Sequence, residues 1–333
     1  MTQLETATPF SSSPIRVGLV GTGYAATRRA EAFQEDDRAQ LVAVVGHTPE
    51  KTAQFCQTYN VERCESWQKL VEDRRLEAIA IASINRDRGA IARSALEAGK
   101  HVIVEYPLSL DPAEAFDLIE LAKDRGKLLH IEHIELLGGL HQALRQALPA
   151  IGNIFYARYT TISPKHPAPR RWSYNHHLFG FPLSAALSRV HRFTDLFGTV
   201  ASVSCQARFW DTSDGYYSAC LCDAQLRFHN NLIADITYGK GDCFWRSERT
   251  FELHGDRGTL IFDTQQGTLI RGDETTPIEV GSRRGLFAKD TTLALDAIIN
   301  GKPLYISPQA SAYALKVADA ARISAETGQT YEL

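Results

Sequence analysis

The stretch Val17–Phe33, "VGLVGTGYAATRRAEAF", decides how the rest of the chain is read. A short apolar run, Ile15–Val20, stops at a glycine, and Thr27–Phe33 then has the spacing of a helix. Between them Gly21, Gly23 and Ala26 form a G-x-G-x-x-A pattern, with Thr22 and Tyr24 in the same turn. Glycines there permit a tight turn and let backbone amides approach a pyrophosphate, whose charge then rests at the helix N-terminus. The pattern alone is weak, and a plain strand–helix turn would also produce it. Its position, after a strand and opening a helix, is the context that dinucleotide binding requires.

Working outward, "LVAVVG" (Leu41–Gly46), "LEAIAIAS" (Leu76–Ser83) and "KHVIVEY" (Lys100–Tyr106) repeat the buried-strand pattern, separated by helical stretches such as "RGAIARSALEAG" (Arg88–Gly99). Strands alternating with helices predict a parallel sheet covered on both faces, a doubly wound Rossmann unit. From about Ile151 the texture changes to longer alternating runs, among them "NIFYARYTTI" (Asn153–Ile162), "YYSACLCDAQLRF" (Tyr216–Phe228) and "RTFELHGDRGTLIFD" (Arg249–Asp263). Period-two alternation predicts a large antiparallel sheet with one wet face. The fold class is therefore α/β plus α+β. Residues 1–129 are expected to hold a dinucleotide and residues 130–290 a substrate. The mostly helical segment 291–327, broken near Gly301–Pro308, is expected to pack back near the first unit.

The 333 residues, 44% hydrophobic and 23% charged, suit two ordinary globular cores. A net charge of −3 with no basic run argues against nucleic acid as a partner. The opening "MTQLETATPFSSSP" has neither a basic start nor an apolar stretch, and no later run approaches the ~20 apolar residues of a membrane helix, so a cytoplasmic location is expected. Six cysteines are scattered, and Cys220-Leu-Cys222 has strand spacing rather than that of a zinc knuckle. Structural thiols and no metal site are expected. His130 and His133 are closely spaced but lack a third ligand in sequence reach.

The second strand ends in "VVGHTPEK" (Val44–Lys51) instead of the acid that would grip the ribose 2′-hydroxyl of NAD. Nothing there repels a 2′-phosphate. His47 and Thr48 can donate hydrogen bonds to it, helped by Arg28 or Lys51, so NADPH is expected over NADH. A His47 that is merely a solvated loop residue is the competing reading.

Gly21–Ala26, "IAIASIN" (Ile79–Asn85), "ALEAGKHVIVEYPLSL" (Ala95–Leu110) and Arg249–Asp263 together resemble the family of two-domain oxidoreductases that includes glucose–fructose oxidoreductase and inositol dehydrogenase. The resemblance covers nearly the whole chain, and it implies cofactor contacts from Ser83, Asn85 and Glu105. Most members carry Glu-Lys-Pro after the strand, with a catalytic lysine, and a histidine and an aspartate on a helix of the second domain. Here Tyr106 stands at the lysine position, and Ser188 and His191 of "ALSRVH" stand at the other two. An ordinary tyrosine, at ~10, is a poor base near neutrality, which makes alcohol oxidation improbable.

These departures resemble instead the biliverdin reductases of bacterial or cyanobacterial type. "VEYP", "HIEHIELL" (His130–Leu137) and "FGFPLSAALSRVHRFTDLFG" (Phe179–Gly198) carry the likeness. It implies NADPH-dependent reduction of the C10 methine bridge of biliverdin to bilirubin, with a proton going to a pyrrole nitrogen. Tyr106 then serves as a flat neutral wall beside the nicotinamide, and Arg189 holds a propionate or a water that protonates the pigment. Glu132, Arg171, His177, Phe179, Ser188 and His191 complete the expected pigment contacts. Glu132 and Glu135 share a face on a helix but not on a strand. Either could orient the cofactor or offset pigment charge, and a salt bridge is the commoner role for such acids. Arg170, Arg171, Trp172, His176 and His177 form a cationic and aromatic loop suited to propionates and pyrrole rings. A loop without substrate contact and a surface Arg189 paired with an acid are the plainer alternatives. Two other functions fit the residues: a reductase of another small carbonyl or sugar-like substrate, and a non-catalytic NADP sensor.

Overall fold

The computed structural model describes residues 13–263 and 266–333. Strands β1 (Ile15–Val20), β2 (Ala39–Val45), β3 (Glu62–Arg63), β4 (Ala78–Ile81), β5 (His101–Glu105) and β6 (Leu129–Glu132) form one sheet. Its order is β3-β2-β1-β4-β5-β6 and every neighbouring pair is parallel. Both faces are buried, as the near-continuous apolar runs require. In β4, Ala78 and Ala80 join one core while Ile79 and Ile81 join the other. Helices α1 (Tyr24–Gln34) and α2 (Pro49–Tyr59) cover the first face. The second is covered by α3 (Trp67–Glu72), α4 (Arg88–Glu97) and α5 (Pro112–Asp124). The strand order reverses between β1 and β4, where sheets of this kind open a crevice at their carboxyl ends.

The expected unit boundary at 129 falls at the start of β6, so the parallel sheet runs three residues further, to Glu132. Short helices α6 (Ile134–Leu137) and α7 (Gly139–Ala147) lead to β7 (Ile154–Pro164), and α8 (His176–Phe179), α9 (Pro182–Ala185) and α10 (Ser188–Phe197) follow it. The strands β8 (Val200–Asp211), β9 (Tyr217–Phe228), β10 (Ile233–Gly241), β11 (Glu248–Gly255), β12 (Gly258–Phe262), β13 (Gln266–Arg271) and β14 (Glu274–Glu279) come next. Helices α11 (Leu286–Asn300) and α12 (Pro308–Thr327) and strand β15 (Tyr331–Glu332) end the chain.

The second sheet has nine strands in the order β14-β13-β12-β11-β7-β10-β9-β8-β15. The antiparallel expectation holds for every neighbouring pair except β7 and β10, which run parallel. After β7 the chain leaves through α8–α10, re-enters near the far edge as β8, and zigzags inward through two hairpins until β10 meets β7. Such a long crossover is what a parallel pair needs. One face follows the alternation read from the sequence: in β9, Cys222, Ala224 and Leu226 are buried while Asp223 and Gln225 are exposed. Helix α11 starts at Leu286, ahead of the expected helical segment, and packs on α1, whereas α12 packs on α5, α10 and β8. The terminal helices therefore join the two units. Among the described residues no helix is long and apolar enough to cross a membrane.

Candidate active site

A cleft of about 730 Å³ opens where the carboxyl ends of β5 and β6 face the N-terminus of α1 and the Trp172–Phe179 loop. Its nucleotide side follows the glycine argument. Gly21 has φ +125°, and a Cβ there would lie 2.5 Å from the Ala82 carbonyl oxygen. Gly23 is the N-cap of α1, with no side-chain cap and no acid in the first turn, and a Cβ on it would meet nothing within 4 Å. The first turn of α1 thus has no side-chain cap and leaves room beside Gly23, as a pyrophosphate site requires. Ala26 is fully buried against the sheet. Thr22 lies against Gly46, which brings the glycine turn beside exposed His47 and half-buried Thr48. Arg28 pairs with Glu31 at 2.9 Å. Tyr24 stands exposed at the cleft rim, edge-on to Phe287 with centroids 6.3 Å apart.

Arg88 organises the turns after β4 and β5. Its Nε donates to the Ser83 carbonyl at 3.0 Å and its guanidinium donates to the Tyr106 carbonyl, while burial pushes it down to about 10. Asn85 is buried and its amide donates to the Phe179 carbonyl at 2.9 Å, clamping α8 to the nucleotide unit.

On the cleft floor, the Tyr106 hydroxyl lies 3.2 Å from Ser188 Oγ, which also accepts from Arg189 at 3.1 Å. Burial pushes the phenol up to about 12, against the pull of Arg189. The Tyr106 ring stacks on His133, centroids 5.0 Å apart and planes 6° from parallel. Arg189 also reaches Thr161 and lies 5.4 Å from the Tyr238 ring centroid, and among the described residues no carboxylate is within ion-pair distance of it. It is therefore not a surface arginine paired with an acid.

The two acids of "HIEHIELL" belong to different elements, because β6 ends at Glu132 and α6 begins at Ile134. Glu132 sits in register with Glu105 on adjacent strands, and both line the cleft. Burial and the proximity of Glu105 push the Glu132 carboxyl well up. Arg29 donates to Glu105 at 3.2 Å, to Asp290 at 2.6 Å and to Thr291 at 2.9 Å. Asp290 further meets His130 at 2.8 Å and accepts from Tyr305 at 2.7 Å. Despite burial, His130 and Arg29 hold Asp290 below the usual carboxylate range. Glu135 takes the salt-bridge role: Arg192 at 2.6 Å, Arg249 at 3.4 Å and Arg283 converge on it.

Two expectations change. Like Ser188, 3% exposed, and Arg189, neither of which lines the cleft directly, His191 is 1% exposed and does not line the cleft. Its Nδ1 lies 3.0 Å from Nδ1 of His133, whose ring stacks on Tyr106, so it sits behind that tyrosine. The loop cations turn outward: Arg170 pairs with Asp214, His176 with Asp211 at 2.6 Å, Arg171 donates to Ser173 at 3.0 Å, and His177 is exposed. The loop gives the cleft its aromatics, Trp172 and Phe179, while the cationic rim comes from Arg283 and Arg284. Sequence reasoning missed those two, together with Arg29, Arg88, Asp290 and Lys240. A charged residue inside an apolar strand, as in "ITYGKG", was the only available signal.

Residues 15–133 match the model of the oxidoreductase family with an NAD-binding Rossmann fold, and residues 149–333 match its C-terminal alpha/beta domain. The crystal structure of biliverdin reductase from Synechocystis sp. PCC 6803, in complex with biliverdin and NADP+, is 56% identical and superposes with a TM-score of 0.93 over 94% of this chain and 99% of that one. Mouse biliverdin reductase A is 28% identical over 293 residues, 87% of this chain and 89% of that protein. UDP-N-acetylglucosamine 3-dehydrogenase from Acidithiobacillus ferrooxidans shares the fold, with a TM-score of 0.78 at 20% identity over 94% of this chain and 98% of that one. With both halves of the chain matched, the chain belongs to this two-domain, NAD-binding oxidoreductase family.

Proposed function

We propose that the protein reduces biliverdin to bilirubin with NADPH, NADH serving less well. The observation that carries the reading is Tyr106 on the cleft floor, where a lysine base would stand, with its hydroxyl on Ser188 and Arg189 donating to the same Ser188 oxygen behind it. The 56% identical Synechocystis enzyme, solved with biliverdin and NADP+, supports it. When bound, reduced nicotinamide supplies a hydride to C10 of the pigment, and one proton from water completes the two-electron reduction at a pyrrole nitrogen.

The chain's own residues bind, orient and shield. The α1 N-terminus and Gly23 receive the pyrophosphate, and His47 and Thr48 receive the 2′-phosphate. Ser83 and Glu105 border the nicotinamide. Tyr106, a neutral phenol, offers its ring as a flat wall and its hydroxyl as a fixed hydrogen-bond partner. Arg189 keeps its charge and donates to a propionate or to the water that protonates the pigment. Trp172 and Phe179 close the cleft over the pyrrole rings, excluding competing water. Residues 1–129 hold the dinucleotide and 130–290 most of the pigment contacts. Six free thiols fit a reducing, cytoplasmic setting.

Visible spectroscopy tests this directly. Mixing protein, NADPH and biliverdin should abolish the long-wavelength band of biliverdin while a bilirubin band grows. Pigment binding without that conversion would reassign the protein as an NADP sensor, and turnover of a small carbonyl alone would reassign its substrate.

A further inference from the structure

Lys240 lies in the interior of β10, 6% exposed, with no carboxylate in ion-pair distance among the described residues. Its Nζ is 3.6 Å from the Phe179 ring centroid, 4.7 Å from that of Tyr174 and 5.4 Å from that of Tyr217. It donates to the Ser173 carbonyl, which also accepts from the Tyr217 hydroxyl at 3.2 Å. Trp172 and Phe179, on either side of that carbonyl, line the cleft. The ammonium thus reaches both the backbone of the loop and the underside of one of its aromatic rings.

We propose that Lys240 is a positioning residue that seats the Trp172–Phe179 loop against the cleft, and that the seat loosens as its ammonium gives up a proton. Placing pigment behind that loop rests on the biliverdin reading. Around Lys240 are Cys220 and Tyr217 from β9, Tyr174 from the loop and, two residues earlier on its own strand, Tyr238, while the charges of Arg171, exposed just before the loop, and of Arg189 from α10 also act on it. Burial, with Arg171 and Arg189 acting alongside and Cys220 opposing, pushes the amine down to about 7. A neutral amine still donates to Ser173, but the attraction to the ring faces disappears.

Amide hydrogen exchange across residues 172–180 of the full chain without pigment, corrected for intrinsic rates, reads the seat itself. Wild-type protection should fall about 5-fold between about pH 6.5 and 8.5, the scale of one partly buried cation–π contact. Lys240→Arg, always charged, should stay protected at both, and Lys240→Met should be weakly protected and insensitive to pH. In turnover assays the wild-type KM for biliverdin should rise over the same range with kcat within about 2-fold, and Lys240→Met should remove that pH dependence. Wild-type loop protection that ignores pH, or follows it equally in Lys240→Arg, would overturn the proposal. If Lys240→Met does not fold, wild type and Lys240→Arg still decide it. Because exchange needs no pigment, failure of the biliverdin reading would appear separately, as absent turnover with an intact exchange pattern.

Discussion

Lowering the pH should weaken the fold through a histidine pair behind the cleft, and the size of the effect follows from the structure. His133 and His191 share one hydrogen bond, Nδ1 to Nδ1 at 3.0 Å, which requires one ring to donate and the other to accept. Burial pushes His191 from 6.5 down to about 4, and burial and His191 push His133 down as well. A histidine depressed in the fold binds its proton first in the unfolded chain, so stability falls as pH drops from about 6.5 toward 4. At ~1.4 kcal/mol per unit, His191 alone costs about 2 kcal/mol by about pH 5. Glu132 has the opposite sign. Its carboxyl is raised, so the destabilisation it causes at neutral pH is relieved on acidification and partly masks the histidine in the wild type. Comparing wild type with His191→Asn removes this background, since an amide keeps a polar group near Nδ1 yet does not titrate. Urea unfolding between about pH 7 and 5 should show the stability difference between the two proteins shift by about 2 kcal/mol toward the variant. Parallel stability curves would refute the reasoning.

Tyr106→Phe should retain most activity, because Ser188 Oγ keeps its bond from Arg189, whereas Tyr106→Ala loses the wall and at least ~10-fold in kcat; an equally crippled Phe variant would make the hydroxyl essential. Arg189→Ala should lower kcat for biliverdin by at least ~10-fold, about 1.4 kcal/mol, at unchanged NADPH affinity, as titration and steady-state assays on one preparation will show. His47→Ala should narrow the ratio of KM values for NADH and NADPH without changing kcat, and an unchanged ratio removes His47 as the phosphate reader. Arg29→Met leaves Asp290 and Glu105 without their shared cation and should cost about 3–5 kcal/mol in chemical unfolding.

What the sequence disclosed was what short range encodes. The glycine turn, the buried strands and the odd tyrosine after β5 are each written within a few residues, and periodicity separates the two sheets. Glu132 and Glu135 stayed ambiguous because the strand ends between them, at a boundary that spacing alone does not mark. Arg29 and Asp290 lie 261 positions apart, so their pairing exists only once α11 docks on α1. No local pattern marks either residue as the other's partner. The loop cations misled for a related reason. Arg170 and His176 look available to a ligand until the β8–β9 hairpin brings Asp214 and Asp211 beneath them.

This distribution of partners argues for what the cleft can do. Beneath Tyr106, Glu105 and Asp290 are bound to Arg29, the Glu132 carboxyl is pushed toward its neutral form, and His133 is held neutral between Ser311 and His191. Ion pairing, hydrogen bonding and burial thus engage each of these groups within the fold. Arg189, by contrast, donates to hydroxyls and faces a tyrosine ring, and among the described residues no carboxylate lies within ion-pair distance of it, so it retains free donors. A site that offers hydrogen-bond donors and aromatic walls, with a phenol where a lysine base would stand, is poorly made for oxidising an alcohol. It suits a flat, conjugated acid whose own nitrogens accept the proton, which is the chemistry of a linear tetrapyrrole.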